Sequence, residues 1–341
     1  MLFDLIVRRD GQEETIIFDN ERNRFTLADG SDPLAAYHEA SYELLDTRYS
    51  PDLQQLSILF INLGLSCNFS CRYCHQNSFR KNSPVTPCTP EKATSLLNKL
   101  KDSTIHPRVI ALWGGEPLVY IKALKVLIPG LRKIYPEAKI NFPTNGKLLN
   151  SQIIAFLKEY NVGFSVSYDG SIGNRDSDIL SDPIVHKALQ SSGRHISFMP
   201  TLNRESRHPT DLVAELKASG IPLQDIAFFS IARCNPYNAS EAAAIRIPDE
   251  KLQEFQDFIY NILHSSPHGE DAHLYSGVEE RFNEILCYYG KGLNIRAKRL
   301  GYCGHLKGTE ITIDADGKIL SCTANARHLL QATLPGFTNH R

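Results

Sequence analysis

Three cysteines, Cys67, Cys71 and Cys74, stand at the spacing C-x3-C-x2-C inside Leu65-Ser66-Cys67-Asn68-Phe69-Ser70-Cys71-Arg72-Tyr73-Cys74. They follow an apolar run, Leu56 to Leu65, that reads as a buried strand. A short loop after such a strand can wrap three thiolates around one face of a metal cluster. A [4Fe-4S] cluster has four irons and is usually held by four cysteines. Three in one loop leave one iron open to a ligand that is not protein. A zinc loop or a structural cysteine trio is the competing reading. Zinc takes four tetrahedral ligands, commonly from paired C-x2-C or Cys/His units. His75 offers a fourth, but it sits beside Cys74, where both side chains can hardly reach one tetrahedral ion.

With Tyr73 before its last cysteine, the motif resembles the signature of the radical S-adenosylmethionine (SAM) enzymes. The resemblance implies that SAM chelates the open iron through its amino and carboxylate groups. It also implies reductive cleavage of SAM to methionine and a 5′-deoxyadenosyl radical, which abstracts a substrate hydrogen. Three further motifs carry the likeness. Gly114-Gly115-Glu116-Pro117, about 40 residues after the cysteines, resembles the family's GGEP turn. The likeness assigns its main-chain groups, with Glu116, to the methionyl amino group of SAM. An ammonium on a carboxylate or carbonyl is a charge-assisted hydrogen bond. Thr144-Asn145-Gly146 resembles the family's TNG strand end, and Ser167-Tyr168-Asp169-Gly170 its S-x-D-G strand end. Ser167 and Asp169 alternate to one side of a strand, and hydroxyl plus carboxylate suit a ribose diol. Tyr73 is expected against adenine or the cluster loop. Asn-Gly and Asp-Gly are also ordinary turn dipeptides, which is the plain alternative for both strand ends. Arg175 and Asn203 fall near strand-end loops without an individual role.

At 341 residues the chain can bury a substantial core in one large domain or two. A formal net charge of −1 suggests no polyanion partner, so nucleic acid is not expected. No stretch reaches the roughly 18–20 apolar residues that span a bilayer. The N-terminus, Met1-Leu2-Phe3-Asp4, lacks a basic region followed by an apolar one, so a cytoplasmic location without membrane contact is expected. Eight cysteines in such a chain point to metal before disulfides.

A strand–helix rhythm positions these motifs. Strands are expected at 57–65, 108–113, 139–142, 162–168, 195–201 and 226–231. Helices are expected from Thr89-Pro90 to about Lys101, 119–135, 150–159, 183–191 and 210–219. Six such units predict an α/β fold, a partial (β/α)6 TIM-like barrel with right-handed crossovers. Active groups then belong at the carboxyl ends of the strands, where the cysteines and the three turns indeed stand.

Residues 1–56 read as a small β-rich cap: a hairpin around Arg9-Asp10-Gly11, a third strand at 24–27 and a helix at 35–45. An exposed sheet there can also accept a peptide as an added strand. Residues 57–235 form the barrel, and 236–341 a helical segment followed by a hairpin, Glu310 to Ile313 and Lys318 to Leu320. Cys303 and Cys322 flank that hairpin in a pattern that resembles the start of the auxiliary-cluster region called SPASM, or its shorter form, twitch. The likeness implies one auxiliary iron–sulfur cluster at most, because no cysteine follows Cys322; Cys234, Cys287 and His305 are candidates for further ligands. Cys88 reads as incidental. No catalytic acid or base is evident, as expected where the cofactor performs the abstraction. Enzymes with such tails resemble maturases of ribosomally made peptides and proteins, sulfatase maturases among them. A precursor peptide and an electron donor such as flavodoxin or ferredoxin are therefore the expected partners. A radical enzyme acting on a small molecule and a non-catalytic metal-binding protein are the alternatives.

Overall fold

The computed structural model describes residues 2–9, 12–19, 24–27, 56–74, 76, 80, 85–170, 178–226, 230–231, 310–320 and 329–333, with positions 29, 31, 251, 254 and 257–258. Two compact units divide the chain, one of residues 1–50 and 281–307, the other of 51–280 and 308–341.

In the first unit, β1 (Leu2–Arg9), β2 (Gln12–Asp19) and β3 (Arg24–Leu27) form an antiparallel sheet in that order. Arg9 pairs with Gln12 across the expected Asp-Gly turn. The helix expected at 35–45 lies outside the described residues.

The second unit carries β4 (Ile58–Asn62), β5 (Val109–Trp113), β6 (Lys139–Thr144), β7 (Val162–Val166), β8 (Ile196–Phe198), β9 (Thr201–Leu202), β10 (Leu223–Ile226) and β11 (Ser230–Ile231). Near the C-terminus follow β12 (Glu310–Asp314), β13 (Lys318–Leu320) and β14 (Leu329–Thr333). Between the strands run α1 (Pro90–Lys101), α2 (Ile121–Ile134), α3 (Ser151–Glu159), α4 (Pro183–Gln190) and α5 (Pro209–Ala218). The main sheet is ordered β10-β8-β7-β6-β5-β4-β12-β13-β14, parallel from β10 to β12, and it is not closed on itself. This is the open, mostly parallel α/β arrangement of a partial barrel.

Local chemistry sets the helix starts. Thr89 accepts the Lys92 N–H and Pro90 takes the first turn, where its missing N–H costs nothing. Ala93, Leu96 and Leu100 then recur at helical spacing on the buried face. Asn150 and Asp182 cap α3 and α4 in the same way. Across β4, β5 and β12 one face of the sheet is apolar: Leu59, Ile61, Ile110, Leu112, Ile311 and Ile313 are all 0 % exposed.

Two features differ from the sequence reading. The sixth parallel strand is β10, Leu223–Ile226, three residues ahead of its expected start. Gln224 and Asp225 break the apolar run there, so composition pointed to the segment beyond. The hairpin, whose partner strand the sequence reading left open, joins the main sheet: β12 pairs in parallel with β4 along its whole length, Glu310 opposite Ile58 through Asp314 opposite Asn62. Nothing local in sequence marks a pairing across some 250 residues. Of the helical segment expected between residue 236 and the hairpin, only Lys251, Glu254, Asp257 and Phe258 are described, all helical.

The hairpin turn is latched to α1. Asp316 accepts from Lys92 and, at 2.8 Å, from Thr86 Oγ1, while its carbonyl accepts from Lys99 Nζ at 2.7 Å. Burial pushes the Asp316 carboxyl up, but hydrogen bonds from Lys92 and Thr86 and the charges of Lys92 and Lys318 bring it below the usual range. A depressed carboxyl stabilises the fold above its unfolded pKa of about 3.9 and loses that contribution as pH falls through the folded value. Asp316→Asn is expected to cost about 1 kcal/mol at neutral pH, modest because the pair is partly exposed. Urea midpoints measured from neutrality downward should show wild type and variant converging below about pH 4.

Candidate active site

The loops after β4 and β5 are stitched together main chain to main chain. Leu63 N–H donates to Trp113 O at 2.8 Å, Gly115 N–H to Gly64 O at 2.9 Å and Glu116 N–H to Ser66 O at 2.9 Å. This approach excludes side chains. A Cβ on Gly115 would lie 2.3 Å from Ser66 O and 2.6 Å from Leu65 O. Gly114 has φ +148°, and its Cβ would lie 2.3 Å from Gly64 O. Beneath Gly64 sits the Tyr120 hydroxyl, which accepts the Ser66 N–H at 2.9 Å. The residue ahead of Cys67 is thus held from both sides.

Glu116, 1 % exposed, ties the β5 loop to the end of β6. Its Oε1 accepts from Thr144 Oγ1 at 2.7 Å and Leu118 N–H at 3.0 Å, and its Oε2 from Asn145 N–H at 2.7 Å. Asn145 points back to the cysteine loop, donating to Asn68 Oδ1 at 2.8 Å, with its Nδ2 3.8 Å from Cys67 Sγ. Tyr73 donates to Asp169, whose other oxygen accepts the Thr201 N–H at 2.7 Å. Ser167 is anchored by its N–H to Thr144 O at 2.8 Å. Tyr73, Gly114, Gly115, Glu116, Asn145 and Asp169 are therefore joined to one another or to the cysteine loop at the carboxyl ends of β4 to β7. Asn203 builds its own turn, bonding Ser206, Thr201 and Glu205.

Cys67 and Cys74 are half-buried, Cys71 is buried, and all three are unbridged. N–H donors face their sulfurs: Phe69 N is 3.4 Å from Cys67 Sγ, and an Arg80 nitrogen is 3.5 Å from Cys74 Sγ. Arg80 also donates to Phe69 O at 2.8 Å, clamping the loop. Burial pushes the Cys67 thiol up, against the Phe69 N–H and the Arg80 charge, with Glu116 and Cys74 adding to the rise. Metal binding then displaces a proton. Sequence reasoning missed Arg80 and Tyr120; a basic residue six positions after Cys74 was the available signal for Arg80. Cys88 is buried, its thiol pushed up to about 11 by burial, and its N–H donates to Leu63 O at 2.8 Å. Cys303 and Cys322, with Cys234, Cys287, His305 and Arg175, lie outside the described residues.

Three thiols in one loop, met by N–H donors, suit an iron–sulfur cube. Among the described residues, no three His, Cys, Asp or Glu side chains converge on one ion. Residues 61–195 match the sequence profile of the Radical SAM superfamily. These residues are a radical SAM domain. The radical SAM family uses a [4Fe-4S] cluster and SAM. In this domain, Cys67, Cys71 and Cys74 are the residues that fit the cluster.

Curated relatives and solved structures agree with this. The radical SAM cyclopropyl synthase TigE of Paramaledivibacter caminithermalis is 24% identical over 203 residues, 53% of this chain and 42% of TigE. A serine-type anaerobic sulfatase-maturating enzyme of Bacteroides thetaiotaomicron is 29% identical over 136 residues, 36% of this chain and 32% of that enzyme. The match thus spans less than half of either relative. Among solved structures, Streptococcus suis SuiB bound to its precursor peptide SuiA superposes with a TM-score of 0.55 at 15% identity, covering 84% of this chain and 63% of SuiB. Native anSMEcpe with bound AdoMet gives 0.55 at 19% identity, covering 83% and 81%. These likenesses bear on the fold. No helix among the described residues is long and apolar enough to cross a membrane.

Proposed function

We propose that this chain is a radical SAM enzyme that takes a hydrogen atom from a ribosomally made peptide, leading to a crosslink, thioether, epimerised centre or oxidised residue. The glycine crossing carries the reading, because it fixes the GGEP turn against the cysteine loop where cluster and SAM must meet. SAM bound to a reduced cluster supplies the 5′-deoxyadenosyl radical. Cys67, Cys71 and Cys74 hold the cluster. The Phe69 N–H, the Asn145 amide and Arg80 donate toward the sulfurs, which favours an added electron. Glu116 spaces the β5 and β6 loops. The main chain of Gly114 and Gly115, with Glu116 and Asn145, takes the methionyl end of SAM; Ser167 and Asp169 take the ribose, and Tyr73 braces Asp169. The packed loops would keep water from the reacting centre.

The peptide substrate draws support from structural neighbours whose titles name a peptide: SuiB with SuiA and anSMEcpe with the Cp18Cys peptide. The sulfatase-maturating relative favours a second form of the same reading, oxidation of a residue in a protein. Residues 1–56 would then receive a leader segment, flavodoxin or ferredoxin would supply electrons, and Cys303 with Cys322 would contribute to one auxiliary cluster.

The test is anaerobic incubation of the reconstituted chain with SAM, reductant and peptides encoded beside its gene. The expected result is a peptide mass change in step with 5′-deoxyadenosine. Steady 5′-deoxyadenosine formation driven by a small metabolite, with every peptide unchanged, would transfer the assignment to a small-molecule enzyme.

A further inference from the structure

Three neighbouring strands end in a row of in-register residues. Asp314 of β12 stands opposite Asn62 of β4, and Asn62 opposite Trp113 of β5. In-register neighbours of a parallel sheet project from the same face. Here it is the face opposite the fully apolar one, at the carboxyl ends where partial barrels keep their chemistry. Each of the three leaves one buried polar atom without a hydrogen bond: Asp314 Oδ2, Asn62 Nδ2 and Trp113 Nε1. Asp314 and Asn62 are both 0 % exposed.

The chain itself fixes which atoms are left over. Asp314 Oδ1 accepts the Asp316 and Lys318 N–H groups, each at 2.9 Å, and Asn62 Oδ1 accepts the Gly64 N–H at 2.9 Å. That bond assigns the Asn62 amide oxygen to Gly64 and leaves its NH2 as the group without a partner. What remains, at the ends of three adjacent strands, is one carboxylate acceptor and two N–H donors. A buried polar group without a partner is costly, and native proteins seldom keep three together without a ligand.

We infer that this row seats one secondary amide unit of the substrate. An amide has one N–H donor and one carbonyl with two lone pairs. Asp314 Oδ2 accepts the N–H; Asn62 Nδ2 and Trp113 Nε1 share the carbonyl oxygen. A free carboxylate would be repelled by Asp314, and an ammonium would leave both donors unmet. Adenine also offers a donor beside an acceptor, but the SAM motifs Asn145, Ser167 and Asp169 stand after β6 and β7, on the other side of β5. Asp314 moreover lies outside the 61–195 radical SAM match, as a residue for substrate rather than for the shared cofactor would. The inference rests on the peptide reading above and places one backbone amide of that peptide beside the cysteine loop.

Trp113 is the single tryptophan of the chain, so its indole N–H is a unique NMR reporter. The full chain, labelled with 15N-tryptophan, is titrated with N-methylacetamide, with N,N-dimethylacetamide (which lacks the N–H) and with adenosine. A saturable shift of the indole resonance is expected with N-methylacetamide, and about tenfold or more weaker with the dimethyl compound. Asp314→Asn keeps the Oδ1 acceptor for the hairpin but turns Oδ2 into a donor, and it should erase that preference. The wild-type comparison of the two amides stands even if the variant folds poorly. A shift with adenosine instead, equal binding of the two amides, or no saturable shift at all would overturn the inference. Because the readout needs no turnover, its failure is separate from failure of the peptide assignment, which the mass change reports.

Discussion

A Cys67→Ala/Cys71→Ala/Cys74→Ala chain, reconstituted anaerobically, should form no measurable 5′-deoxyadenosine from SAM, a loss of at least about 10³-fold. The size follows from the chemistry. In the proposed reaction the SAM-cleaving electron would come from the cluster. The three thiols differ in burial, Cys71 buried and the others half-buried, but on the proposed reading each would hold one cluster iron, so single alanine variants should fall nearly as far. Iron and sulfide analysis of the triple variant adds a second answer. Complete loss of iron places all of it on this loop. Partial retention would locate a further cluster elsewhere, with Cys303 and Cys322 as the first ligands to replace. Retention of SAM cleavage would remove the assignment itself.

Gly115→Ala should abolish most SAM turnover, by about 10²-fold or more, although it adds a single methyl group. Its Cβ would meet the backbone oxygens of Ser66 and Leu65 at 2.3 and 2.6 Å. Backbone cannot step aside as a flexible side-chain tip can, so the GGEP turn and the cysteine loop must separate. Overpacking of this kind costs about 1–3 kcal/mol, and here the displacement falls where a misplacement of about 1 Å is worth 10²-fold in rate. The control is Gly163→Ala in β7, whose nearest neighbours would be Asn141 Cβ at 3.6 Å and Ile140 O at 3.7 Å. Gly163→Ala should keep near-wild-type turnover and thermal midpoint. Equal behaviour of the two variants would show that the glycine crossing does not govern the site.

The three-cysteine loop, the GGEP turn and the TNG and S-x-D-G strand ends were legible because each depends on residue type at short range. Three thiolates in one short loop can share one cluster, and glycines must stand where two backbones touch. The helix starts were equally local: a capping Thr89 or Asn150 ahead of a periodic apolar face leaves little choice. Strand and helix periods in alternation then imply a parallel sheet, which put the motifs at its carboxyl edge.

Tertiary structure decided what joins those ends. Glu116 bonds Thr144 and Asn145, and Tyr73 reaches Asp169, partnerships that no spacing encodes. It also decided that β12 lies beside β4, so that Asp314, Asn62 and Trp113 form one row. Sequence fixes the chemistry a residue carries and the elements its neighbours build. Which distant residues meet is set by sheet order, and that comes from burying the apolar face of the whole unit at once rather than from any one stretch.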